Sequence, residues 1–184
     1  MKMVVLALAM MTGLLALGEA QNAVSELPRA QAIALQEFLK QHTELSFLPL
    51  TDFSPDELQF MHKELDATLT PYYLSYDFDQ DGMKDFAVVL RKSGPPLRDQ
   101  GTGFPETHRY LYEVTIVIFD GMKDGTFKPV FMENETAPLV CFLHLTNEEK
   151  RRLYFGVSET DQGFAIEPTS QGKYVVAKDE NVEE

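Results

Sequence analysis

The sequence predicts an α+β fold, with two N-terminal helices packed on a mainly antiparallel sheet of about seven short strands. Three observations carry this reading. Helix start signals are read at Pro28 and at Ser54, in the first third of the chain, and β-branched and aromatic runs dominate the rest. Those runs are short and separated by Gly, Asp and Asn, as hairpins require.

Lys2 is followed by a continuous apolar run from Met3 to Leu17 and then by Gly18-Glu19-Ala20. This is the order of a secretory signal peptide: a charged n-region, an apolar h-region and a small-residue cleavage site. Residues 1–20 are read as that signal, with cleavage after Ala20 preferred to cleavage after Ala23. The run is short for a bilayer span, which needs about 20 apolar residues. A periplasmic or secreted protein is expected, with no membrane insertion after signal removal. Residues 21–177 are read as one α+β domain and residues 178–184 as an acidic tail.

Within the domain, Pro28 opens a helical pattern reaching about His42, with Ile33, Leu35, Phe38 and Leu39 as its apolar stripe. A second start follows at Ser54-Pro55-Asp56-Glu57. It has an N-cap serine, proline at the first helical position and glutamate three residues after the cap, which together make a capping box. Leu58, Met61 and Leu65 then recur at helical spacing and should face the core.

The pattern turns to β at Tyr72. Runs at 72–76, 86–90, 110–119, 126–132, 137–145, 151–157, 163–167 and 173–177 read as strands. The link 93–109, with Gly94-Pro95-Pro96 and Gly101-Thr102-Gly103-Phe104-Pro105, is long for a compact domain. Two readings of it stand, a hairpin excursion and a ligand-binding loop.

Charge narrows the partners. The formal net charge is −13, from 29 acidic and 16 basic residues. This disfavours nucleic acid and anionic membrane surfaces and suits cations or a basic protein partner. The only cysteine, Cys141, lies in the apolar run Pro138 to Leu143, so no internal disulfide is available and burial is its expected role.

One segment names a chemistry: Asp77-Phe78-Asp79-Gln80-Asp81-Gly82-Met83-Lys84-Asp85. Four carboxylates at alternate or near-alternate positions repel one another unless a cation is shared among them. With Asp77 as position 1, the side chains at 1, 3 and 5, Gly82 at 6, the carbonyl of Met83 at 7 and Asp85 at 9 match the start of an EF-hand calcium loop. An EF-hand needs a bidentate glutamate at position 12. That position is Val88, and the flanks read as strands, so an EF-hand is rejected.

The segment instead resembles the D-x-D-x-D-G-x-x-D calcium loops of the FG-GAP and VCBS repeat families, followed by a strand such as Phe86-Ala87-Val88-Val89-Leu90. The resemblance implies a structural Ca²⁺ held by the side chains of Asp77, Asp79, Asp81 and Asp85 and by the Met83 carbonyl. It covers about fourteen residues. Those families repeat the unit to build a propeller, whereas this chain carries one copy and looks more like a small exported bacterial protein. Asp120-Gly121-Met122-Lys123-Asp124 repeats Asp81 to Asp85 letter for letter, but Ile116 and Ile118 stand where Asp77 and Asp79 stand in the first copy. The second copy is therefore read as a hairpin turn.

No metal-ligand spacing links His42, His62, His108 and His144, and neither a G-x-S-x-G elbow nor a glycine-rich phosphate loop is present. His144 reads as a packed histidine. Tyr72, Tyr73, Tyr76, Phe78, Tyr110 and Tyr112 read as sheet packing more than as a binding face. Two functional readings follow. One is a calcium-binding module that is not an enzyme. The other is an extracytoplasmic hydrolase with a site near the 93–109 loop, using His108, Glu106 and the loop acids.

Overall fold

The computed structural model describes residues 27–48, 53–65, 69–98, 110–146, 152–158, 160 and 162–177. The expected signal peptide, the acidic tail and the 99–109 part of the long link, with Glu106 and His108, lie outside the described residues.

Helix α1 (Arg29–Gln41) starts directly after Pro28 and buries Gln31, Leu35 and Phe38. Helix α2 (Pro55–Glu64) begins on the expected capping box. The Ser54 hydroxyl accepts from the Glu57 amide at 3.2 Å, and the Glu57 carboxylate accepts from the Ser54 amide at 2.7 Å. Two of the amides left without partners at the start of a helix are thereby satisfied. Met61 of α2 enters the core at 1% exposure.

Ten strands follow or intervene among the described residues: β1 (Leu45–Phe47), β2 (Tyr73–Tyr76), β3 (Asp85–Lys92), β4 (Leu97–Arg98), β5 (Tyr110–Gly121), β6 (Phe127–Ala137), β7 (Cys141–Leu145), β8 (Leu153–Val157), β9 (Gly163–Pro168) and β10 (Tyr174–Val176). They form two antiparallel sheets. In the first, β3 lies between β5 on one side and β2 and β1 on the other, β6 borders β5, and β4 pairs with the start of β5. In the second, β7, β8, β9 and β10 form a meander.

The strand register explains why two sheets are needed. Phe86 to Leu90 and Ile116 to Phe119 are all fully buried, so the central strands are apolar on both faces. Phe86 pairs with Phe119 and Val88 with Val117 on one face, which α1 covers through Phe38 at 5.4 Å from the Phe119 ring. Gln31 of α1 also bonds to this face, donating to Ser75 at 3.2 Å and accepting from Tyr73 at 2.6 Å. The opposite face carries Ala87, Val89, Ile116, Ile118 and Phe131, and the second sheet covers it. The Phe131 and Tyr174 rings meet at 6.3 Å, and the Leu143 amide donates to the Pro71 carbonyl at 2.8 Å. One continuous core joins the layers.

This arrangement overturns the expected α+β architecture. The protein is a small mainly-β fold of ten strands in two sheets with two short helices, not two helices on one seven-stranded sheet. One helix can cover only one face of the central strands, and the C-terminal meander supplies the other cover. The chain leaves the edge of the first sheet at Pro138 and begins a separate sheet at Cys141. Within β6, one extra residue at Val130 shifts the pairing between Ile118 and Phe119, and Pro129 sits on this edge strand, where its missing amide costs no ladder bond.

Candidate metal centre

The acidic loop is the connection of the β2–β3 hairpin, which begins where Tyr76 pairs with Asp85. Its backbone takes left-handed conformations at Gln80 (φ 64°) and Gly82 (φ 90°). Gly82 fits there because it has no Cβ to strain. The carboxylates fold the loop back on itself. Asp77 Oδ2 accepts from the Gly82 amide at 3.0 Å, Asp79 Oδ1 from the Asp81 amide at 3.1 Å, and Asp81 Oδ1 from the Met83 amide at 2.7 Å.

Asp77, Asp79 and Asp85 are brought together, with one carboxylate oxygen from each lying within 4.8 Å of the others. They lie close enough to hold a metal ion. Asp81 stands outside this group, its carboxylate turned to the loop backbone, and Met83 is half-buried beside it.

Asp85 is the buried member, fully shielded from solvent. Its Oδ2 accepts from the Phe78 amide at 2.8 Å and its Oδ1 from the Gly121 amide at 2.9 Å. Each carboxylate oxygen has a second lone pair, so these bonds leave room for a cation. Burial pushes the Asp85 carboxyl up to about 6. The two amide bonds offset part of this, and the charges of Asp120 and Asp79 add to it. Asp79 is raised in the same way, first by burial and then by Asp81, Asp120 and Asp77, against the Asp81 amide.

Two neighbours of the site come from distant parts of the chain. Asp120, at the end of β5, acts electrostatically on both Asp79 and Asp85, and its Oδ1 is buried without a hydrogen-bond partner among the described residues. Its turn is a hairpin turn, as the sequence suggests, closed by Met122 donating to Thr126 and by Gly125 at φ 81°. Yet the two look-alike segments meet in space. A Cβ on Gly121 would lie 2.3 Å from the Lys84 carbonyl oxygen, so glycine is what permits the approach. Tyr174, in β10, is 7% exposed, and its hydroxyl has no hydrogen-bond partner among the described residues. Burial first, and then Asp85, Asp79, Asp120 and Asp77, push its ionisation far up, so it remains a neutral phenol. In the sequence, the repeated Asp-Gly-Met-Lys-Asp was the one sign of Asp120. Nothing local marks Tyr174.

The other residues singled out have structural surroundings. His144 lies between Phe142 and Tyr154, at ring separations of 5.6 and 5.0 Å, donates from Nδ1 to the Leu145 carbonyl at 3.0 Å, and has its basicity lowered by burial. Cys141 is fully buried in β7. His42 stacks on Phe38 at 4.2 Å and faces Glu44 at 3.5 Å. It lines a groove of about 400 Å³ between the end of α1 and the bulged part of β6, which none of the loop acids enters. Among the described residues, no helix is long and apolar enough to cross a membrane. No protein-family model matches the chain, and no curated protein or solved structure matches it either.

Proposed function

We propose that this is an exported calcium-binding protein that serves as a binding or interaction module, with a structural Ca²⁺ in the β2–β3 loop. The convergence of Asp77, Asp79 and Asp85 oxygens within 4.8 Å carries the reading. Like charges about 4 Å apart repel by about 4 kcal/mol per pair at an effective dielectric of 20, and a shared dication reverses the sign. Oxygen-only donors favour a hard cation. A loop that offers carboxylates and a backbone carbonyl at irregular angles suits Ca²⁺ better than the octahedral demands of Mg²⁺. Asp81 and the Met83 carbonyl, next along the loop, complete the ligand set on binding. The acidic surface makes a basic protein the partner class that charge favours.

Calorimetric titration of the mature chain with CaCl₂, and separately with MgCl₂, tests this. The expected result is one Ca²⁺ site with Kd on the order of 10⁻⁴–10⁻³ M, weaker Mg²⁺ binding, and loss of the site in Asp79→Ala. An absence of Ca²⁺ heat in the unaltered protein, with an unchanged melting temperature, would refute the reading.

A further inference from the structure

We infer that the cation site extends beyond its loop to Asp120 on β5 and the Tyr174 hydroxyl on β10, so that a bound cation fastens the two sheets together. This rests on the reading that the acidic loop binds a cation, and it adds the far wall of the site and a consequence of filling it.

Three buried polar atoms have no hydrogen-bond partner among the described residues, Asp77 Oδ1, Asp120 Oδ1 and the Tyr174 hydroxyl; the acids act on Tyr174, whose ring packs on Phe131 opposite Ile118, two residues before Asp120. The three atoms come from three separate elements, the β2–β3 loop, the end of β5 and the last strand of the second sheet. Buried polar atoms are nearly always paired, so a cluster of exceptions among charged groups calls for partners such as an ion and its water. Three of the loop's own amides, those of Asp81, Gly82 and Met83, are already committed to Asp79, Asp77 and Asp81. A hydrated dication supplies partners for all three atoms at once: it attracts both carboxylate oxygens, and a water in its shell bridges to the neutral phenol.

Phe131 and Tyr174 pack across the seam between the sheets, and the acids act on the Tyr174 hydroxyl across that seam. Without a cation, the acids of the first sheet repel one another beside a phenol that only the second sheet positions. With one, both sheets share a ligand.

Calcium affinity of three variants of the full chain separates the possibilities. Asp120→Asn should lose about tenfold or more, the range for groups supporting a metal site, and Tyr174→Phe, which deletes a single oxygen, should lose several-fold. Asp124→Asn removes the same charge from the same turn, at an exposed carboxylate bonded to Thr126, and should stay within about twofold. Hydrogen exchange on the unaltered protein gives an independent readout. Saturating Ca²⁺ should slow exchange in β9 and β10 and at the Ala177 amide just past β10, which bonds to Ala165, and should not do so in Tyr174→Phe. Parental affinity in both Asp120→Asn and Tyr174→Phe, with protection confined to residues 77–85, overturns the extension and leaves the loop site standing. No Ca²⁺ binding by the unaltered protein overturns the loop site itself, and the extension falls with it.

Discussion

The Gly121 amide donates to Asp85 Oδ1 at 2.9 Å, tying the buried acid of one hairpin to the turn of the next. The same carboxylate accepts from Phe78 inside its own loop. Asp85 is thus both a candidate ligand and the joint that sets how the acidic loop sits on the sheet. A cation bound at Asp85 would sit at the meeting of two hairpins.

That joint predicts an intolerance at position 121. In Gly121→Ala the added Cβ would lie 2.3 Å from the Lys84 carbonyl oxygen and 3.0 Å from its carbon, both backbone atoms that cannot rotate away. The strands must part, at a cost of about 3 kcal/mol, and the Asp85 bond lengthens as they do. Urea unfolding should show a lower midpoint, and Ca²⁺ affinity should fall with it. Gly82→Ala is a contrast. It meets no neighbour but is strained by φ 90°, so its cost is about 1–2 kcal/mol and arises in the loop alone.

Why the sequence reveals some of this and not the rest has physical reasons. Both helices are legible because each carries a local start signal, Pro28 or the Ser54 capping box, and an apolar stripe. Strands such as β5 and β8 are legible from their β-branched and aromatic runs. β1 and β4, at three and two residues, are not. They exist because β3 and β5 offer open edges, and no local pattern encodes that. The two-sheet architecture was hidden in a run that was visible. Phe86 to Leu90 is apolar at every position, which means both faces are covered, but nothing local says that a sheet provides the second cover. The site divides in the same way. Asp77, Asp79 and Asp85 converge because their spacing wraps one loop, whereas Asp120 and Tyr174 arrive by tertiary pairing alone.

Stability of the metal-free protein should fall as pH rises from about 4 to about 6. Burial lifts the Asp85 carboxyl from 3.8 to about 6 in the folded state. Between those values the folded protein binds more protons than the unfolded chain, so stability decreases with pH. The contribution is fully present below the unfolded value and is lost as pH passes through the folded one, with an upper limit of about 3 kcal/mol. Urea midpoints in EDTA across this range test it. Asp85→Asn should flatten the slope, and saturating Ca²⁺ should remove or reverse it, because a cation favours the carboxylate.

Removing the α2 cap should act on stability alone. Ser54→Ala deletes the hydroxyl that accepts from Glu57 and leaves the Glu57 side chain half of a broken box. The expected loss is about 1 kcal/mol. Because the cap belongs to none of the elements that build the loop, Ca²⁺ affinity should match the parent by calorimetry. A parallel loss of affinity would mean that α2 and the metal centre are coupled.

Calcium should raise the unfolding free energy by an amount set only by its concentration relative to Kd. A ligand that binds the folded state alone adds about 2.7 kcal/mol at one hundred times Kd. The unfolded chain keeps the same aspartates but not their convergence, since the oxygens of Asp77, Asp79 and Asp85 come within 4.8 Å only when β2 and β3 pair. Denaturant titrations at graded free Ca²⁺ should therefore give a stability that rises with the logarithm of concentration above Kd, with one ion taken up per molecule folded. Asp77→Ala and Asp79→Ala should each abolish the rise. Asp81→Ala, whose carboxylate bonds only the loop backbone among the contacts described, should retain part of it, because that side chain joins the ion last. Equal losses in all three variants would instead mean that Asp81 turns to the ion as an obligatory ligand.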